Sequence, residues 1–184
     1  MTRVVLRRRS APEPTSRIPL RWGDYPGRYL VGLVLLGLGA AMVVQTTAMT
    51  LALGMLGSVL HAGGWAVQPG RVAARVTVAV PAVLLCWCTI TGPKSMWALA
   101  FLLPCWLIVR RRPRVAYWTL ALPLGVGLLV ASLPPATTDK SVAFWTVLGM
   151  VAAGAWIARE LALKVRLVHT NRIDGVPTSG SDTP

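Results

Sequence analysis

Residues 29–67 read YLVGLVLLGLGAAMVVQTTAMTLALGMLGSVLHAGGWAV and are the strongest indication of the fold. This stretch contains no charged residue in 39 positions. As one straight α-helix it would be roughly 58 Å long, about twice the roughly 30 Å thickness of a bilayer's hydrocarbon core. Two antiparallel helices joined by a turn near Gln45, Thr46 and Thr47 would each fit that thickness. The sequence therefore predicts a helical hairpin at membrane depth.

The distribution of basic residues supports the hairpin. Lys and Arg close to membrane-spanning helices concentrate on the cytoplasmic side. If residues 29–67 cross twice, 17 of the 19 basic residues fall on one face, and only Lys94 and Lys140 fall on the other. If they cross once, the division is ten against nine, which is no bias. A re-entrant hairpin would preserve the 17 to 2 division, so that alternative stays open.

Four further apolar runs, each bounded by a turn signal or a basic run, are predicted to cross at 76–91, 96–109, 115–133 and 142–158. The predicted fold class is all-α, a polytopic membrane helix bundle with six transmembrane helices and both termini in the cytoplasm. The crossings occupy a domain at 29–158. Arginine supplies 16 of the 19 basic residues, which suggests a GC-rich bacterial genome and places the chain in a bacterial plasma membrane as a multi-pass protein.

Two flanking regions complete the predicted organisation. Residues 1–28 are basic and rich in proline, cannot bury a core, and are predicted to be a disordered cytoplasmic arm. Residues 159–184 are predicted to form a basic juxtamembrane segment, which could continue as a short helix, followed by a disordered cytoplasmic tail.

The net charge of +13 is of the kind that often indicates nucleic-acid binding. Here the arginines occupy short segments flanking the predicted crossings, so topology explains the charge and no nucleic-acid partner is predicted. The expected partner is the bilayer, through its anionic inner-leaflet lipids, which attract each basic residue by about 1 kcal/mol. The candidate lipid contacts are Arg110, Arg111, Arg112 and Arg114.

No Asp, Glu, Lys or Arg lies inside a predicted crossing. Charged intramembrane residues are the usual mark of ion coupling and proton relays, so their absence disfavours an ion-coupled antiporter. The candidate polar contacts at membrane depth are Gln45, Ser58 and His61. The histidine is interpreted first as an interfacial side chain bonded to a carbonyl or water, and second as a ligand contact.

No catalytic, cofactor-binding or metal-ligating set is predicted. Cys86 and Cys88 lack the spacing of a redox pair, and Cys105 lies on a different predicted helix. All three are interpreted as small apolar residues. The sequence is therefore read as non-enzymatic.

Pro81, Pro104 and Pro123 each lie inside a separate predicted crossing, where a proline removes an intrahelical hydrogen bond and is a candidate helix kink. Three kinked helices could frame a cavity at the freed carbonyls. The alternative is that proline is simply commoner in membrane helices than in soluble ones.

Small residues repeat at i, i+4, a spacing that lets helix backbones approach closely in lipid. The pairs are Gly37 and Ala41, Ala48 and Ala52, Gly54 and Ser58, Gly149 and Ala153, and Gly154 and Ala158.

The chain length, the six predicted crossings and the A-x-x-x-A pair at Ala48 and Ala52 resemble in outline the substrate-capture subunits of energy-coupling-factor vitamin transporters. In that family alanine pairs of this spacing dock the subunit on a partner, usually from the first helix, whereas here the pair lies on the predicted second. The sequence as a whole is similar to small multi-pass membrane proteins of high-GC actinobacteria, a resemblance that implies no chemistry.

Two functions are therefore carried forward. The first is an accessory or assembly subunit of a membrane complex, which implies a membrane-protein partner or a homo-oligomer. The alternative is a carrier or substrate-capture subunit for a small neutral solute, which implies a cavity near the middle of the membrane. A lipid-modifying enzyme would need converging acids, bases or a metal site, and no such motif is found.

Overall fold

A computed structural model describes residues 24–134 and 138–174, with side chains as far as residue 165. Within these ranges the chain forms six α-helices and no strand. The α-helices are α1 Tyr25–Val44, α2 Leu51–Val67, α3 Val72–Cys88, α4 Leu102–Arg110, α5 Ala121–Ser132 and α6 Lys140–Asp174. Four 3₁₀ segments adjoin them at Ala48–Thr50, Thr89–Thr91, Pro93–Phe101 and Arg114–Leu120.

The predicted hairpin at 29–67 is confirmed as two helices joined at Gln45, Thr46 and Thr47. Helix α1 begins at Tyr25, four residues earlier than predicted, because the Asp24 carboxylate accepts a hydrogen bond from Gly27 N at 3.0 Å and caps the helix. The residues before Asp24, which hold most of the predicted disordered arm, lie outside the described part of the chain. With the 3₁₀ turn before α2, both arms of the hairpin are 20 residues long.

Glycines bring the two arms of the hairpin into backbone contact. A Cβ added at Gly39 would lie 2.5 Å from His61 N and 2.6 Å from Gly57 O. One added at Gly64 would lie 2.8 Å from Leu36 N and 3.0 Å from Gly32 O. The contact thus repeats at seven-residue spacing along each arm, and only a residue without a side chain fits there.

The fourth and fifth segments change from 3₁₀ to α geometry part-way along. Pro104 is the third residue of α4 and Pro123 is the third residue of α5. Proline is tolerated in the first turn of an α-helix, where its missing N–H is not needed. These two prolines therefore begin an α-helix instead of interrupting one, whereas Pro81 does lie inside α3.

The 3₁₀ stretches also lengthen the two segments in which they lie. A 3₁₀ helix rises about 2.0 Å per residue, against 1.5 Å for an α-helix. Residues 93–110 and Arg114–Ser132 therefore each reach about 32 Å, close to the roughly 30 Å thickness of the hydrocarbon core.

Residues 93–110 form the centre of the bundle, and α3, α5 and α6 pack around them. Their side chains supply much of the buried core, including Met96, Leu99, Leu103 and Leu107. Large apolar side chains on the surrounding helices point outward, as on a surface that faces lipid.

Within the part of the chain that the structure describes, five helical segments are long and apolar enough to cross a membrane, which confirms the predicted all-α, membrane-protein class at that level. They are Tyr25–Val44, Ala48–Val67, Val72–Thr91, Arg114–Ser132 and Lys140–Val165. The central segment, 93–110, is not among these five.

Helix α6 is much longer than the predicted crossing at 142–158. It runs without a break to Asp174 and is about 52 Å long, so the predicted juxtamembrane segment continues the same helix. The predicted tail beyond it, from residue 175, lies outside the described residues.

Candidate ligand-binding cavity

A cavity of about 620 Å³ lies between α1, α2, α4 and α6. Most of the side chains around it are aliphatic or aromatic. The lining residues are Tyr25, Tyr29, Leu33, Leu36, Gly37, Ala40, His61, Trp65, Leu102, Leu103, Trp106, Arg112, Leu148, Val151, Ala152, Ala155, Trp156 and Arg159.

The cavity is elongated along the helices. Its α1 wall runs from Tyr25 to Ala40 and its α6 wall from Leu148 to Arg159, each at the three- and four-residue intervals of a single helix face. At 1.5 Å per residue the α1 wall is about 22 Å long. The shape is therefore a groove between two helices, with α2 and α4 forming its floor.

Helices α1 and α6 meet at one end of this groove and are separated along the rest of it. At the closed end Gln45 Nε2 donates a hydrogen bond to Ser141 Oγ at 3.0 Å. Elsewhere the two helices make few or no direct contacts. Leu33 and Trp156, on the two lips, are 38% and 63% exposed, so the groove is open along its side.

Arginines gather at the other end, which we call the basic end. Arg110, 2% exposed, lies under three aromatic rings, with its guanidinium carbon 4.3 Å from the Tyr29 centroid, 5.5 Å from that of Tyr25 and 5.7 Å from that of Trp106. It also donates a hydrogen bond to the Tyr25 hydroxyl. Cations are attracted to ring faces by about 2 kcal/mol or more where water is excluded.

Two further guanidinium groups of the basic end line the groove itself. Arg112 is 8% exposed and lies 5.6 Å from the ring of Trp106, while Arg159 is exposed on α6. The charged part of the lining is thus confined to one end.

His61 lies in the floor of the groove and is 1% exposed. Its Nδ1 lies 3.0 Å from Leu36 O, and its Nε2 lies 3.2 Å from Trp65 Nε1. Because the indole N–H can only donate, Nε2 must accept, which leaves the proton on Nδ1 to bond the carbonyl. The predicted bond to a carbonyl is therefore confirmed, and it ties α2 to α1.

The other two candidate polar contacts lie away from the groove lining. Gln45 closes the opposite end through Ser141, and Ser58 joins α2 to α3 by accepting a hydrogen bond from Trp87 Nε1 at 2.8 Å. Of the arginine cluster, Arg112 enters the lining, Arg110 supports its aromatic wall, and Arg111 and Arg114 are exposed outside it.

The three prolines do not frame this groove. Pro81 and Pro104 line a separate shallow depression between α3 and residues 101–108, and Pro123 lies near Gly154 of α6. The groove lies instead between α1 and α6, so its lining does not support a cavity framed by the three prolines.

The aromatic residues that line the groove were not predicted from the sequence as part of a site. Trp65, Trp106 and Trp156 sit near the ends of predicted crossings, where a membrane-interface position explains them fully. The spacing of Tyr25 and Tyr29, one helical turn apart and beside a basic arm, was the available signal.

Among the residues that the structure describes, no three His, Cys, Asp or Glu side chains are grouped as metal ligands. The three cysteines are free, and Cys86 and Cys105 belong to the apolar core. Comparisons with protein-family models, curated proteins and solved structures found no match for this chain.

Proposed function

We propose that the chain is a non-enzymatic, multi-pass protein of a bacterial plasma membrane that captures a small, largely apolar molecule from the cytoplasmic side of the bilayer. The observation that carries this proposal is the groove between α1 and α6, which is open along its side and lined mostly by apolar side chains. Its volume falls within the roughly 300–1,000 Å³ range of small-molecule sites.

The proposed topology has six crossings and both termini in the cytoplasm. In its support, residues 93–110 reach about 32 Å and are enclosed by helices long enough to span. Lys140, one of the two basic residues assigned to the outside, donates to Ile90 O at 3.4 Å, at the end opposite the arginines. The charge division therefore agrees with the arrangement of the helix ends.

Reporter fusions after Thr47, Arg71, Lys94, Arg112 and Lys140 test this topology. We expect external signals after Thr47, Lys94 and Lys140 and cytoplasmic signals after Arg71 and Arg112, because the basic clusters remain inside. An external signal after Arg112 would contradict the six-crossing arrangement.

Capture is tested by filling the groove at Gly37. A Cβ added there meets no atom within 4 Å, so a larger side chain enters the open space without displacing the helix. Gly149 is the matched control, because its Cβ position is equally open but lies outside the groove lining. The proteins would be purified in mild detergent, checked for folding by thermal unfolding, and weighed by native mass spectrometry.

We expect the wild type and Gly149→Trp to carry one bound small molecule per chain, and Gly37→Trp to have lost it. Equal retention by Gly37→Trp and Gly149→Trp would place the molecule elsewhere and contradict the proposal. A preparation without any bound molecule but with a stoichiometric protein partner would instead favour the accessory subunit.

One observation keeps the accessory subunit as a second candidate. Gly149 is exposed and Ala153 half-buried on α6, so this small pair remains available to another helix. By contrast, Gly154 packs against Leu103 and Gly54 against Thr46 within the chain. Ala48 and Ala52 are also exposed, but only Ala52 belongs to α2, since Ala48 lies in the preceding 3₁₀ turn.

A further inference from the structure

We infer that the captured molecule is an anionic phospholipid of the cytoplasmic leaflet, held with one acyl chain along the groove and its phosphate between Arg112 and Arg159. This inference rests on the proposed function and names the class of molecule that the groove takes. It also replaces the expected neutral solute with a charged amphiphile.

The length and lining of the groove fit an acyl chain. One leaflet contributes about half of the roughly 30 Å hydrocarbon core, so its chains reach about 15 Å. The α1 wall offers about 22 Å, which accommodates such a chain together with the start of a headgroup. Each methylene moved from water into such a wall contributes about 0.8 kcal/mol, but a lipid chain leaves other lipid and gains little from burial alone. Selectivity must therefore come from the polar end.

The polar end of the groove presents two guanidinium groups. Arg112 is held against Trp106, and Arg159 approaches from the facing wall on α6. Guanidinium matches the oxygens of a phosphate by paired N–H donors. A zwitterionic headgroup offers the same phosphate but also places a cation beside the arginines, which an anionic headgroup does not. The lining carries positive charge only at this end, so an amphiphile is oriented with its phosphate at the basic end.

The open side of the groove gives lipid a direct route. Because α1 and α6 are joined at Gln45 and Ser141 but otherwise have few close backbone contacts, a chain can enter between them without leaving the bilayer. The partly exposed Leu33 and Trp156 form the lips of this entrance. A water-soluble anion would need the arginines but would leave the apolar groove below them unfilled.

The test uses the full-length protein, delipidated in detergent and titrated with defined lipids by native mass spectrometry. The probes are phosphatidylglycerol, phosphatidylcholine with the same acyl chains, and inorganic phosphate alone. Arg159→Gln removes one groove guanidinium from an exposed position, and Arg71→Gln removes the same charge from an exposed position outside the lining. Gly37→Trp blocks the groove.

We expect the wild type and Arg71→Gln to bind phosphatidylglycerol about tenfold more tightly than phosphatidylcholine, since a net negative charge is attracted by about 1 kcal/mol to each arginine and the choline cation cancels that attraction. Arg159→Gln should bind phosphatidylglycerol about tenfold more weakly and lose most of the preference, and Gly37→Trp should bind neither lipid at the one-to-one site. Inorganic phosphate should not displace the lipid.

Different results would overturn the anionic-lipid inference alone or the proposed capture function as well. Equal binding of both lipids by the wild type, abolished in Gly37→Trp, would overturn the anionic-lipid inference and leave capture of an apolar molecule standing. Equal weakening by Arg159→Gln and Arg71→Gln would also overturn it, because general surface charge would then explain the preference. Phosphate that displaces the lipid would assign the arginines to a soluble anion, and lipid binding that Gly37→Trp leaves intact would overturn both proposals.

Discussion

Replacing Gly39 by alanine is expected to lower the free energy of unfolding by about 3 kcal/mol, the upper end of the usual cost of overpacking. The added methyl group would lie 2.5 Å from His61 N and 2.6 Å from Gly57 O. Both atoms belong to the backbone, so neither can swing aside, and α1 and α2 must separate. The loss would be measured by thermal or denaturant unfolding in a fixed detergent.

Gly37→Ala is the control for this prediction. It lies two residues away on the same helix, and its new methyl group would meet nothing within 4 Å. Because alanine favours a helix over glycine by about 1 kcal/mol, this variant should be as stable as the wild type or more so. If the two variants had the same stability, α1 and α2 would not be in backbone contact at Gly39.

Replacing Arg110 by glutamine is expected to cost at least about 2 kcal/mol of unfolding free energy. The substitution removes a buried cation from between the rings of Tyr25, Tyr29 and Trp106, and with it the hydrogen bond to the Tyr25 hydroxyl. It also removes a positive charge from the last turn of α4, where the helix dipole favours one. Thermal unfolding of the two purified proteins in one detergent would measure the difference.

The neighbouring Arg111→Gln controls for the change in charge. Arg111 is exposed and ends α4 in the left-handed conformation, with φ at 51°. We expect its replacement to change stability by no more than about 0.5 kcal/mol, as for most surface substitutions. Equal losses from both substitutions would mean that the aromatic cluster contributes nothing specific to stability.

The hairpin could be predicted from the sequence, because the length of the uncharged stretch and the distribution of the basic residues are two independent arguments for it. A stretch of 39 uncharged residues is too long for one crossing, and only an even number of crossings keeps the arginines on one side. The turn at Gln45, Thr46 and Thr47 follows from the same argument, since these polar residues interrupt the apolar run near its middle.

The close packing of that hairpin was not predicted from the small-residue pairs at i, i+4. That spacing describes the crossed helix pairs that meet at one point. In this hairpin the arms run side by side, so the contact recurs every two turns, at Gly32 and Gly39 on α1 and at Gly57 and Gly64 on α2. The signal was present in the sequence at a spacing of seven.

The groove could be predicted only in part. His61 was identified from the sequence as a candidate polar contact and Arg112 as a candidate lipid contact, because polar groups near apolar runs are easily recognised. Helix α1 packs mainly on α2, whereas α6 packs on residues 93–110, so the separation of α1 from α6 depends on contacts between elements far apart in the chain. No local pattern encodes that spacing.

Lipid occupancy of the groove is tested most directly by cryo-electron microscopy of the protein in nanodiscs that contain phosphatidylglycerol. We expect α1 and α6 to be apart at the basic end, with continuous chain-like density between them and a phosphate within hydrogen-bonding distance of Arg112 and Arg159. Direct packing of α6 on α1 along the whole groove, with Trp156 against Tyr29 and no enclosed density, would contradict it.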